Sequence, residues 1–179
     1  MAITINGNGT LSGVTSGVGS ILQVKQSVMT GITSTISSSF VFPSDLTLSI
    51  TPSSTSSKIL VDCNIWVASN RWMSHITLQR NGTDLGLADA ASNRARWFLN
   101  WMMDNTVQNT HGHQSNVRGQ LLDSPSSTSA VTYRIGHKRR PDNEGGDAYS
   151  RINYSVPDRD NSSFDLRHTS TITLMEVSG

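Results

Sequence analysis

The stretch Ile59-Leu60-Val61-Asp62-Cys63-Asn64-Ile65-Trp66-Val67 decides the fold class. Ile59, Val61, Cys63, Ile65 and Val67 alternate with Leu60, Asp62, Asn64 and Trp66, so one set lies on each face of a strand. A slip of one residue would carry the whole apolar set into water, which fixes the register. The same period recurs on both sides. Leu46, Leu48 and Ile50 alternate before Pro52. Ile76 and Leu78 lead into Asn81-Gly82, a strong hairpin signal, with Leu85 and Leu87 starting the return strand. Ala95, Trp97, Leu99, Trp101 and Met103 form another alternating set. Val131, Tyr133 and Ile135 follow, then Ile152, Tyr154 and Val156, and finally Ile172, Leu174 and Glu176. Polar clusters at 51–54, 123–127, 141–147 and 157–163 separate them. Many short strands with regular turns predict an all-β sandwich or barrel. Only Leu87 to Ala95 leaves room for a turn of helix.

Composition agrees. The 179 residues include 28 Ser, 18 Thr and 13 Asn, and only 2 Glu and 3 Lys, which starves helices and suits strands and polar turns. Four Trp, four Phe and three Tyr are enough for a core, so the low charge does not mean disorder. The formal charge of +1 argues against a protein that grips nucleic acid or an anionic membrane by bulk electrostatics. A single cysteine excludes an intrachain disulfide framework. No run of about 18 apolar residues spans a membrane, and the N-terminus lacks the basic and apolar regions of a secretory signal. Synthesis in a cytoplasm is the expectation.

Two segments follow from this. Residues 1–20 carry 5 of the 14 glycines and no charged side chain, so they cannot fold alone. They read as a loose tail or as an arm ordered by a partner, with Ile3 and Ile5 as the anchoring side chains. Residues 21–179 form the head domain. Within it, the segment 94–103 is apolar on both faces, with Phe98 and Met102 behind Trp97 and Trp101, and Trp66 lies opposite Cys63. A monomer rarely leaves such patches in water. Trp66, Trp97, Phe98, Trp101 and Met102 are therefore the expected subunit interface, cover by the chain's own loops being the other reading.

Several short segments resemble small structural proteins of marine, cyanophage-like tailed phages. They are Ile21-Leu22-Gln23-Val24, Leu48-Ser49-Ile50-Thr51-Pro52, Ser57-Lys58-Ile59-Leu60-Val61, Leu87-Ala88-Asp89, Leu122-Asp123-Ser124-Pro125 with Tyr133, and Ser170-Thr171-Ile172-Thr173-Leu174-Met175-Glu176-Val177. Met1 to Gly9 is similar to the start of phage fibre proteins. The resemblance implies a jelly-roll head like those of tumour-necrosis-factor and complement globular domains, assembled as a homotrimer. It implies a virion-surface appendage made in the host cytoplasm: a tail fibre, a head fibre or a capsid decoration. Its partners would be capsid, portal, tail or fibre-docking proteins, with a host surface glycan as a further partner. The absence of an extended shaft favours a short fibre or knob. A cement protein stabilising the head, and a small carbohydrate-binding or carbohydrate-cleaving domain, are the alternatives.

The chemistry-bearing motifs are few. In a threefold assembly, His111 and His113 would supply six imidazoles, an octahedral set for iron or another first-row metal like that closing some phage spike tips. Exposed loop histidines are the plainer reading, and no other cofactor is expected. Asp142, Glu144 and Asp147, and Asp158, Asp160 and Asp165, are acidic loops without the helix-loop-helix calcium spacing. His137-Lys138-Arg139-Arg140 reads as a hairpin end paired with Asp142 and Glu144, or as a patch for an acidic surface. No nucleophile elbow occurs, and buried Cys63 is expected to be inert. The chain is not expected to be an enzyme.

Overall fold

The computed structural model describes residues 4–5, 11–12, 19–70, 73–102, 114–140, 148–156, 158–160, 162–163 and 165–179. His111, His113, Ile3 and the side chain of Ile5 lie outside the described residues, as does the acidic cluster 142–147. In chain order the strands are β1 (Thr4–Ile5), β2 (Leu11–Ser12), β3 (Ile21–Met29), β4 (Thr33–Thr35), β5 (Thr47–Ile50), β6 (Lys58–Ser69) and β7 (Met73–Arg80). They continue with β8 (Thr83–Leu85), β9 (Leu99–Met102), β10 (Ser115–Asp123), β11 (Val131–Arg139), β12 (Ser150–Ile152) and β13 (Ser170–Val177). No α-helix occurs among the described residues, and Leu46 lies in a short 3-10 turn ahead of β5. None of these residues belongs to a helix long and apolar enough to cross a membrane.

Two sheets carry the head. The first runs β3-β13-β6-β12-β4, with β10 on the free side of β6. The second runs β5-β11-β7-β8, with β9 also on β7. The alternation in β6 sends Ile59, Val61, Cys63, Ile65 and Val67 inward, all fully buried. The facing sheet contributes Ile50, Ile76, Leu78, Val131, Tyr133 and Ile135 to the same core. Burying each such side chain contributes about 1.5–3 kcal/mol, which is what holds the sheets together. Asn81 and Gly82, with φ of 48° and 89°, turn β7 into β8. Both positive angles match the twist of a two-residue hairpin, as Asn-Gly foretells.

Polar groups close the ends of the core. Asp123 accepts two 2.8 Å bonds from Arg80 Nη1 and a 2.6 Å bond from the Tyr133 hydroxyl, joining β10 to the opposite sheet. Burial and then that hydrogen bond push the Tyr133 phenol far above its usual range. Glu176 continues the inward face of β13 and is fully buried. Burial alone would raise its carboxyl, but bonds from the Ser53 hydroxyl and amide (both 2.6 Å) and from Gln23 (2.6 Å) hold it down at about 2.

Candidate functional site

The core uses one face of each sheet, which leaves the outer faces for other contacts. On the first sheet the registers Val24↔Met175, Met175↔Leu60 and Leu60↔Leu122 place four apolar side chains in one row. The row crosses β3, β13, β6 and β10. Val24 is 57% exposed and Leu122 50%. Ile21, Leu22 and Val28 add exposed apolar surface along β3. The next row is polar, Gln26-Thr173-Asp62-Gln120, and the one beyond it brings Arg118 beside Asn64. Asp62 Oδ1 is sealed from water without a hydrogen-bond partner among the described residues, and Arg118 is exposed.

Trp66 stands on this same face of β6, four residues beyond Asp62. His168 stacks on it with ring centroids 3.7 Å apart and planes 7° from parallel. The surrounding burial lowers the affinity of His168 for a proton.

The other aromatic residues named from the sequence do not join Trp66. The alternation from Ala95 to Met103 predicts one long strand, whereas β9 covers only Leu99–Met102. Trp101 points inward, is 9% exposed and belongs to the chain's own core, so it offers no subunit surface. Phe98 packs beside that core against Gly119 of β10, where a Cβ would meet its ring at 2.8 Å. Met102, 65% exposed, lies on the outer side of the second sheet across from Met73. Trp97 precedes β9 and lies under Lys138, whose ammonium is 4.0 Å from its ring and 4.5 Å from that of Phe40. The five residues thus divide among a core and two opposite faces, and one continuous interface built from them is corrected.

The basic run falls at the end of β11, whose last residues are His137 to Arg139, and the acidic partners Asp142 and Glu144 named for it from the sequence lie outside the described residues. His137 faces inward, where Nδ1 is 2.9 Å from Ser150 Oγ of the opposite sheet. Burial pushes it down to about 4. Lys138 faces outward into its aromatic frame, and desolvation lowers its proton affinity, partly offset by Asp84. Arg134, four positions earlier on the same face of β11, lies 3.9 Å over the ring of Phe42, which itself occupies the space left by Gly136. The second sheet therefore presents alternating cations and aromatic rings. The loop from residue 36 to 43 supplies Phe40 and Phe42, which period-two reading of strands could not place.

Of the carboxylates singled out for calcium, Asp165 pairs with Arg159 at 3.3 Å and Asp158 with Arg167 at 3.0 Å. No group of three metal-ligating side chains occurs among the described residues. Cys63 is buried, and desolvation, then the charge of Asp62, raises its thiol to about 12. The chain matches no protein-family model and no curated protein.

Proposed function

We propose that this chain is a non-enzymatic structural protein of a tailed-phage virion, a homotrimeric jelly-roll knob on the particle surface. In this reading residues 1–20 engage other virion proteins, and the outward surface of the head meets a host glycan. The jelly-roll is supported by nested pairing, β3 with β13, β5 with β11, β6 with β10 and β7 with β8. The observation that carries the trimer is the apolar row Val24-Met175-Leu60-Leu122 on the outer face of the first sheet. A second copy is its natural cover, because the row is apolar while the exposed Gln120 and Arg118 of the adjoining rows give it a polar rim. Copies related by a threefold axis would meet through this face and leave the second sheet outward.

Sedimentation equilibrium at micromolar concentration is expected to give three times the chain mass. Leu60→Asp should yield a folded monomer, since Leu60 is not part of the core between the sheets. A monomeric native chain overturns the assembly. Copy number per purified particle then separates a fibre, present in tens, from a cement protein, present in hundreds.

A further inference from the structure

The loop from Gly86 to Phe98 and the outer side of β7 and β9 enclose a cleft of about 370 Å³. Its lining includes Met73, His75, Ala88, Arg96, Trp97 and Asn100. That volume falls within the range of small-ligand sites, about 300–1,000 Å³. Met73, Ala88 and the Trp97 indole give it an apolar wall. His75 Nδ1 and Asn100 Oδ1 are 3.0 Å apart, so the amide nitrogen of Asn100 remains to donate. Arg96 is exposed and places one nitrogen 3.1 Å from the Ala88 carbonyl, leaving the rest of its fork for an acceptor.

Among the described residues, Arg96 is the charged side chain that lines the cleft and no carboxylate lines it. Lys138 lies against the Trp97 ring at 4.0 Å and adds a second cation behind the wall. The nearby carboxylate Asp84 is held by Thr77 Oγ1 at 2.8 Å and Gln79 Nε2 at 2.9 Å, on the next strand. An apolar wall, scattered hydrogen-bonding groups and a guanidinium at one end describe a ligand with an apolar face, several hydroxyls and one anionic group.

We infer that this cleft binds a pyranose residue bearing a carboxylate, a uronic acid, with the ring's C–H face on Trp97 and Met73 and the carboxylate on Arg96. The inference deepens the glycan contact proposed above and rests on that reading only for where the sugar comes from.

Calorimetric titration of the full chain with methyl glucuronide, methyl glucoside and acetate tests it. Saturable binding of the glucuronide at millimolar concentrations is expected, with the glucoside about tenfold weaker and acetate weaker still. Arg96→Ala should abolish the preference for the acid while the melting temperature stays unchanged, since the side chain is exposed. Trp97→Ala should weaken glucuronide and glucoside alike, and Trp97→Phe should restore part of both. Absence of saturable glucuronide binding overturns the site. Equal affinity for glucoside and glucuronide overturns the role of Arg96, and acetate binding as tightly as glucuronide overturns the sugar. Each result is read on isolated protein, so a failure here leaves the virion assignment to its own test.

Discussion

His137 lies between two sheets with one ring nitrogen on Ser150 and the other, Nε2, sealed without a partner among the described residues. Protonation there would bury a charge, which is why its affinity falls from the ordinary 6.5 to about 4. Between those values the unfolded chain takes up a proton that the folded chain refuses. Stability is therefore lost as pH falls from 6.5 and, for this group, stops falling near 4. The expected loss is about 3 kcal/mol. Glu176 then acts at lower pH: its contribution is present above 4.5 and disappears as pH falls toward 2. Urea midpoints measured across this range should fall in two stages, and His137→Gln should remove the upper one. A flat midpoint between 6.5 and 4 in the native chain contradicts the burial of a neutral imidazole. None of this was legible in the sequence, because the partners lie far along the chain. Asn153 makes the same point. At φ 70° it bonds the carbonyls of Met29 and Gly31 and accepts from Ser170, yet it reads as one polar residue among many.

The strands differ in how openly they announce themselves. In β6 and β13 each inward position is apolar or a paired polar group, so alternation and burial coincide. The segment before β9 reads the same way, but tertiary partners override it: Trp97 is drawn out under Lys138, and Phe98 is drawn into the gap left by Gly119. Alternation records which residues avoid water, not which neighbour covers them. Gly119→Ala should accordingly cost about 1–3 kcal/mol, because the methyl would collide with the Phe98 ring. Phe98→Leu in the same background should recover part of the loss, and simple additivity would count against this packing. At the end of β10, Asp123 ties two strands of the opposite sheet through Arg80 and Tyr133. The sequence pairs Asp123 with Tyr133 only through resemblance, and the structure supplies the bond. Asp123→Ala leaves a guanidinium and a phenol without their acceptor, so a loss of about 2–3 kcal/mol in the denaturant midpoint is expected. Asp158→Ala, which breaks an exposed pair with Arg167, should change it by less than about 1 kcal/mol.

For the whole molecule, the question is what residues 1–20 contribute. The first strand of the main sheets, β3, begins at Ile21, where the charge-free, glycine-rich stretch ends. At the junction Ser178 donates its amide to the Ser20 carbonyl at 2.9 Å, and the Gly19 amide reaches the Ser178 carbonyl at 3.3 Å. Those bonds extend the β3–β13 ladder by one step. Before them, β1 pairs with β2 among the described residues, Thr4 with Ser12 and Ile5 with Leu11. A two-residue ladder has too little apolar area to offset the ordering of a glycine-rich chain, so it needs a receiving surface to persist. The core residues, by contrast, all come from positions beyond 28. Deleting residues 1–18 should therefore leave the head folded, with a melting temperature within a few degrees of the full chain. It should also leave the association state unchanged, because Val24, Leu60, Leu122 and Met175 all remain. If the proposed virion role holds, what it should remove is incorporation into particles, read by assembling tagged full-length and truncated chains side by side. If the truncated chain unfolds, the first residues belong to the head's own sheet. If it still incorporates, attachment runs through the head, and the assignment of one end to the particle and one sheet to the outside is reversed.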